Sequence, residues 1–96
     1  MSYVERLAEI ATKEIPKGET YCISNSEDKI IAGLGAPEFA LRPNKNGGWR
    51  VLVQEGGRGT IYEEYIFKDE REACIKFIEI TDEYYHLSKY LSEFSI

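Results

Sequence analysis

The chain is poor in the residues from which catalytic and metal sites are usually assembled. Its 96 residues include one histidine and two cysteines. His86 follows Asp82 by four positions, a helical pair that offers two ligands where a zinc site takes three or four from the protein; no Cys-x-x-Cys or His-x-x-x-His accompanies it. There is no run of about 18 apolar residues, so no membrane span is predicted. Basic excess is lacking too. Twelve Lys and Arg stand against 17 Asp and Glu, a net charge of −5, which argues against nucleic acid or an anionic membrane as the main ligand and suits either plain solubility or a basic partner. The opening MSYVERLAEI has neither the basic nor the apolar stretch of a secretory leader. With Cys22 and Cys74 as the only thiols, this predicts a cytoplasmic chain with reduced, buried cysteines. No repeat, linker or low-complexity stretch divides the sequence, so residues 1–96 read as one domain.

What is present is strong patterning. Ser2 and Glu5 form a capping box ahead of Val4, Leu7, Ala8, Ile10, Ala11 and Ile15, one apolar helix face that Pro16 and Gly18 end. Thr20–Ser24 and Lys29–Leu34 read as two strands of a hairpin, with Gly33 and Gly35 suggesting a bulge. Glu38–Arg42, between Pro37 and Pro43, reads as an edge strand, because proline cannot donate to a ladder. After the turn signal NKNGG, Trp49–Gln54 alternates cleanly, Trp49, Val51 and Val53 against Arg50, Leu52 and Gln54.

The stretch 60–80, TIYEEYIFKDEREACIKFIEI, carries the clearest local signal. Ile61, Tyr62, Tyr65, Ile66 and Phe67 suit a strand. Asp69 stands at the N-cap with Glu72 three residues on, and Glu70 and Glu72 suit the first helical turn. Beyond it Ala73, Phe77, Ile80, Tyr84, Leu87, Leu91 and Phe94 step by four and three, which predicts one helix over 69–93 with Phe77, Ile80, Tyr84 and Leu91 buried. Cys74, Ile78, Thr81 and Tyr85 run beside them as a second stripe. The predicted fold is α+β: an antiparallel sheet of four to five strands in the order α-β-β-(β)-β-β-α, with both helices on one face.

Three candidate sites lack the geometry of their chemistry. Glu63 and Glu64 are adjacent on a strand and face opposite ways, unlike a paired acid and base. The glycines of Glu55-Gly56-Gly57-Arg58-Gly59 lead into a strand, where a phosphate cradle needs a helix N-terminus. Both cysteines fall on buried stripes, where thiols are inert. These readings predict no catalytic residue, no metal and no cofactor.

Two surfaces stand out instead. The outer face of the last helix gathers Glu72, Lys76, Glu79, Asp82, Glu83, His86 and Glu93 with Ile75 and Tyr90, a mixture of charge and aromatic anchor that resembles a binding surface. The open sheet face, with Arg50, Leu52, Gln54 and either Tyr62, Glu64 and Ile66 or their neighbours, would suit a small ligand, a protein partner or self-association as a homodimer.

The run GWRVLVQEGGRGTIYEEYIFKDEREACIKFIE, with its Trp-led strand, Gly/Arg hairpin, aromatic strand and F-x-D-E-x-E-A-C-x-x-F helix start, resembles small bacterial immunity proteins of polymorphic and contact-dependent toxin systems. The likeness covers about a third of the chain. It departs at the hairpin, where such proteins carry Glu-Arg-Gly and this chain has two further glycines. The resemblance implies a cytoplasmic, non-enzymatic protein that binds a cognate toxin domain, often a basic nuclease, and blocks its active site. On this reading Glu79, Asp82, Glu83 and Tyr90 are the partner-binding residues of the helix, with Arg58 and Glu64 on the sheet side. The alternative is a small-ligand-binding or regulatory domain that uses the open sheet face.

Overall fold

The computed structural model describes residues 2–26, 29–34, 37–55 and 60–95. Helix α1 spans Tyr3–Glu14. Strands β1 (Tyr21–Ser26), β2 (Lys29–Gly33), β3 (Phe39–Pro43), β4 (Trp49–Gln54) and β5 (Ile61–Phe67) follow, then helix α2 (Glu70–Tyr85) and a 3₁₀ segment, Leu87–Glu93. The fold is α+β, with one five-stranded sheet in the order β2-β1-β3-β4-β5.

Local signals set the helix starts. The Ser2 side chain accepts from Glu5 N while Glu5 returns a bond to Ser2 N, a complete capping box. Asp69 caps α2 by accepting from Arg71 N at 2.9 Å.

The sheet is mixed, not antiparallel throughout: β1 and β3 pair in parallel. The β1–β2 hairpin returns the chain to the end where β1 began. Leu34 N donates to Tyr21 O and Glu38 N to Thr20 O, and β3 lies on the far side of β1 from β2. As a result β3 is the central strand and not an edge. Its prolines do not forbid this, since Pro37 precedes the strand and Pro43 is its last residue. The turn from β3 to β4 brings Gly48 (φ +78°) so close to β5 that a Cβ would fall on the Phe67 carbonyl oxygen.

Both helices cover one face of the sheet. Tyr21, Ile23, Phe39, Leu41 and Val51 point to them and join Leu7, Ile10, Phe77 and Ile78 in the main core, with Trp49, Val53, Tyr65 and Phe67 packed at its margin. The alternate residues Cys22, Ala40 and Leu52 form a small second cluster on the opposite face. Cys22 and Cys74 are free and buried.

The C-terminal helix is shorter than its spacing predicts. It stops at His86, which takes the left-handed conformation (φ 56°), and the Asp82 carboxylate accepts from Ser88 N at 2.9 Å to fix the break. The chain continues as a 3₁₀ helix, whose tighter winding abandons the 3.6-residue period, yet Leu87 and Phe94 still reach the core with 0% exposure. Arg6 clamps Glu93 with two bonds at 2.7 and 3.0 Å, and Lys89 reaches Glu14 at 2.9 Å, tying this segment to α1. The buried arc of α2 is Ala73, Cys74, Phe77, Ile78 and Thr81. It is centred between the two apolar stripes, so the first stripe becomes its border. Ile80 and Leu91 are half-buried and Tyr84 is 61% exposed, contrary to the burial expected of it.

Candidate functional site

Where α2 passes over the β4–β5 end of the sheet, the chain leaves a cleft of about 720 Å³ lined by Glu38, Phe39, Val53, Gln54, Glu55, Tyr62, Glu63, Ile80, Glu83 and Tyr84. Four carboxylates surround an aromatic and aliphatic floor, and among the described lining residues there is no Lys or Arg. Each element contributes for a local reason. Glu38 stands just before β3, where its backbone N–H bonds to Thr20 O. At the far end of the β4–β5 pairing Val53 faces Glu63 while Gln54 faces Ile61, so Tyr62 is an extra, bulged residue and is 64% exposed. Glu83 and Tyr84 come from the last turn of α2.

The aromatic floor is continuous with the core. The Tyr84 ring lies 5.5 Å from Phe39, Phe39 lies 6.1 Å from Tyr85, and Tyr85 lies 6.2 Å from Tyr21. An exposed ring backed by buried ones is a rigid anchor for a partner. The electrostatic environment is negative: the Tyr85 hydroxyl is pushed up to about 12, first by burial and then by Glu19 and Glu38. Beside the cleft the Tyr65 hydroxyl donates to Glu63 at 2.5 Å, and that bond raises the Tyr65 pKa.

Further along the same α2–β5 seam lies a second cavity of about 390 Å³, lined by Tyr65, Phe67, Glu72, Ile75, Lys76 and Glu79. Its floor is apolar, and Lys76 is held 4.3 Å above the Tyr65 ring.

The residues expected to bind a partner are dispersed by this geometry. Glu79 and Glu83 are exposed along the seam, one at each cavity. Asp82 is occupied by its bond to Ser88 N, which holds its carboxyl below the usual range. Tyr90 is not on the outer face of α2; it lies in the 3₁₀ segment, half-buried against the core, with Lys89 5.6 Å from its ring. Glu64 is on the open sheet face, paired with Arg50. Arg58 lies outside the described residues.

The open sheet face is occupied by its own side chains. Leu52 stands opposite Glu64 and Arg50 opposite Ile66, as the alternation predicts, but Cys22, Ala40 and Leu52 are at most 3% exposed there.

Sequence reasoning missed Glu38, Glu55, Tyr62 and Tyr84 as members of one site. Tyr84 carried a signal in the second stripe, whose presence shifts the buried arc away from it. Glu38 carried none, since a parallel crossover places it. Among the described residues no group of three or more His, Cys, Asp or Glu converges as a metal site, and no helix is long and apolar enough to cross a membrane. No protein-family model, curated protein or solved structure matches the chain.

Proposed function

We propose that this chain is a non-enzymatic, cytoplasmic binding protein of the immunity type, which takes a basic surface of a toxin domain against the α2–β5 seam and blocks that domain by occupancy. The observation that carries the reading is the cleft in which Glu38, Glu55, Glu63 and Glu83 surround the exposed rings of Tyr62 and Tyr84. Aromatic side chains supply contact area at low entropic cost, and a cluster of one charge sign steers an oppositely charged partner into place. The buried thiols agree with a binding role. Cys74 is fully buried, and burial pushes its pKa up, away from the thiolate a nucleophile needs.

The test is protection. Reading frames flanking the gene are expressed singly in a host with and without this chain, and one growth-arresting product should be neutralised by it. Glu79→Lys with Glu83→Lys exchanges one like-charged i, i+4 pair for another and gives up the 4.0 Å contact between Lys76 and Glu79, exposed-pair changes of a few tenths of a kcal/mol each, while protection should be lost. A chain that rescues growth from none of its neighbours, or a double variant that folds and protects fully, would reject the reading.

A further inference from the structure

The sheet has two edges, and they differ. Edge strand β2 has five residues, begins at Lys29, and pairs with β1 through register shifts on both sides of Ser24. Short length, a terminal lysine and bulges are the usual devices that close an edge to further pairing. Edge strand β5 has seven residues and keeps regular pairing with β4 from Trp49–Phe67 to Val53–Glu63, with a single shift at its far end. Among the described residues its other side pairs with no strand, which leaves a row of backbone donors and acceptors along about 23 Å at ~3.3 Å per residue.

The surroundings of that edge select what can pair with it. The two cavities of the α2–β5 seam lie along the strand, the apolar one beside Tyr65 and Phe67 and the acidic one beside Tyr62 and Glu63. A strand laid on β5 would send alternate side chains toward α2, about 7 Å apart. At the Phe67 end those side chains would meet Ile75, Tyr65 and Phe67. At the Tyr62 end they would meet Tyr62 and Glu63 at the mouth of the acidic cleft, whose far wall is Glu83 and Tyr84, the latter over Phe39 of β3. On the opposite face Glu64 is already paired with Arg50. A second copy of this chain is disfavoured, because fully overlapped antiparallel pairing of β5 with β5 would set Glu64 directly against Glu64, and like charges across a strand pair repel.

We propose that the partner docks by strand addition: an extended, basic segment pairs with the free edge of β5, with apolar side chains in the Tyr65–Phe67–Ile75 groove and Lys or Arg in the acidic cleft. This rests on the binding role assigned above and adds its mode. Backbone pairing would supply the affinity and the two cavities the side-chain preference.

The probe is a capped heptapeptide, Val-Thr-Val-Thr-Lys-Thr-Lys, whose alternate residues carry Val toward one cavity and Lys toward the other on the same face, with its reversed sequence for the opposite strand direction, titrated into the full chain while amide exchange is followed by NMR. Binding should slow exchange at alternate residues of β5 by tenfold or more. Glu79→Lys with Glu83→Lys should weaken the peptide at least tenfold with the fold intact. A peptide that shifts Glu83 and Tyr84 without protecting β5 overturns strand addition and leaves the acidic cleft as the docking site. Equal binding of the Glu-for-Lys peptide overturns the charge selection. No binding, or β5 protection that grows with protein concentration in the absence of peptide, overturns the proposal. None of these results depends on the growth-rescue experiment, so the two readings fail separately.

Discussion

Phe77 and Tyr84 lie seven positions apart on α2, at nearly the same angle around the helix, and the structure gives them opposite duties. Phe77 is fully buried, while Tyr84 is 61% exposed over the acidic cleft. Truncating Phe77 to alanine removes a whole buried ring and leaves a cavity between α2 and the sheet, which should cost about 3–5 kcal/mol. The stability of a 96-residue domain is about 5–14 kcal/mol, so this loss is a substantial part of the total, and at the low end of that range it brings the chain close to unfolding. Truncating Tyr84 loses two tilted ring contacts, with Phe39 and Tyr85, each of the kind worth about 0.5–1.5 kcal/mol when buried and less here because most of the ring is in water. Urea denaturation followed by circular dichroism separates the two. With an m-value near 2 kcal/mol/M, Phe77→Ala should lower the midpoint by about 1.5–2.5 M and Tyr84→Ala by less than about 0.5 M. Comparable losses at the two positions would mean that Tyr84 is a core residue. The helix would then be rotated from the orientation described, and the aromatic floor of the cleft would not exist. Since Tyr84→Ala should fold, it also reports on binding without a stability correction.

Two further outcomes follow from the same geometry. Cys22 and Cys74 should react slowly with a thiol reagent in the folded chain and yield two free groups on denaturation without reductant, since both are buried and unpaired; a yield of none would reveal a disulfide. The 3₁₀ segment should loosen in acid before the sheet does. Lys89 holds the Glu14 carboxyl below its ordinary 4.5, Arg6 does the same for Glu93, and the Ser88 amide lowers Asp82 from 3.8. Depressed carboxyl pKa values add stability that is complete above the unfolded values and is lost as the pH falls through the folded ones. Amide exchange over 87–95 should therefore accelerate below about pH 4.5, after correction for the intrinsic rate, ahead of β1 and β3. Simultaneous loss of protection in all three would contradict this.

The sequence determined the parts whose causes are local. Capping at Ser2 and Asp69, the stop at Pro16, the turn at Asn44–Gly48 and the period-two pattern of Trp49–Gln54 each depend on a few neighbouring residues, and each appears in the structure. The division of the sheet into a helix-covered and an open face was legible for the same reason, because alternation along a strand is a local property. Tertiary structure decided what depends on partners distant in the chain. A hairpin signal between β1 and β2 is silent about which side of β1 the chain returns to, so the parallel β1–β3 pairing and the central place of β3 could not be read. An apolar spacing of four and three is satisfied equally by a continuing α-helix and by one that ends at His86, and only the docking of Leu87 and Phe94, with Arg6, Glu14 and Asp82 as ties, favours the second. The candidate site belongs wholly to this class. Glu38, Glu55, Glu63 and Glu83 span 46 positions of sequence and meet because a crossover, a bulge and a helix end converge at one corner of the sheet.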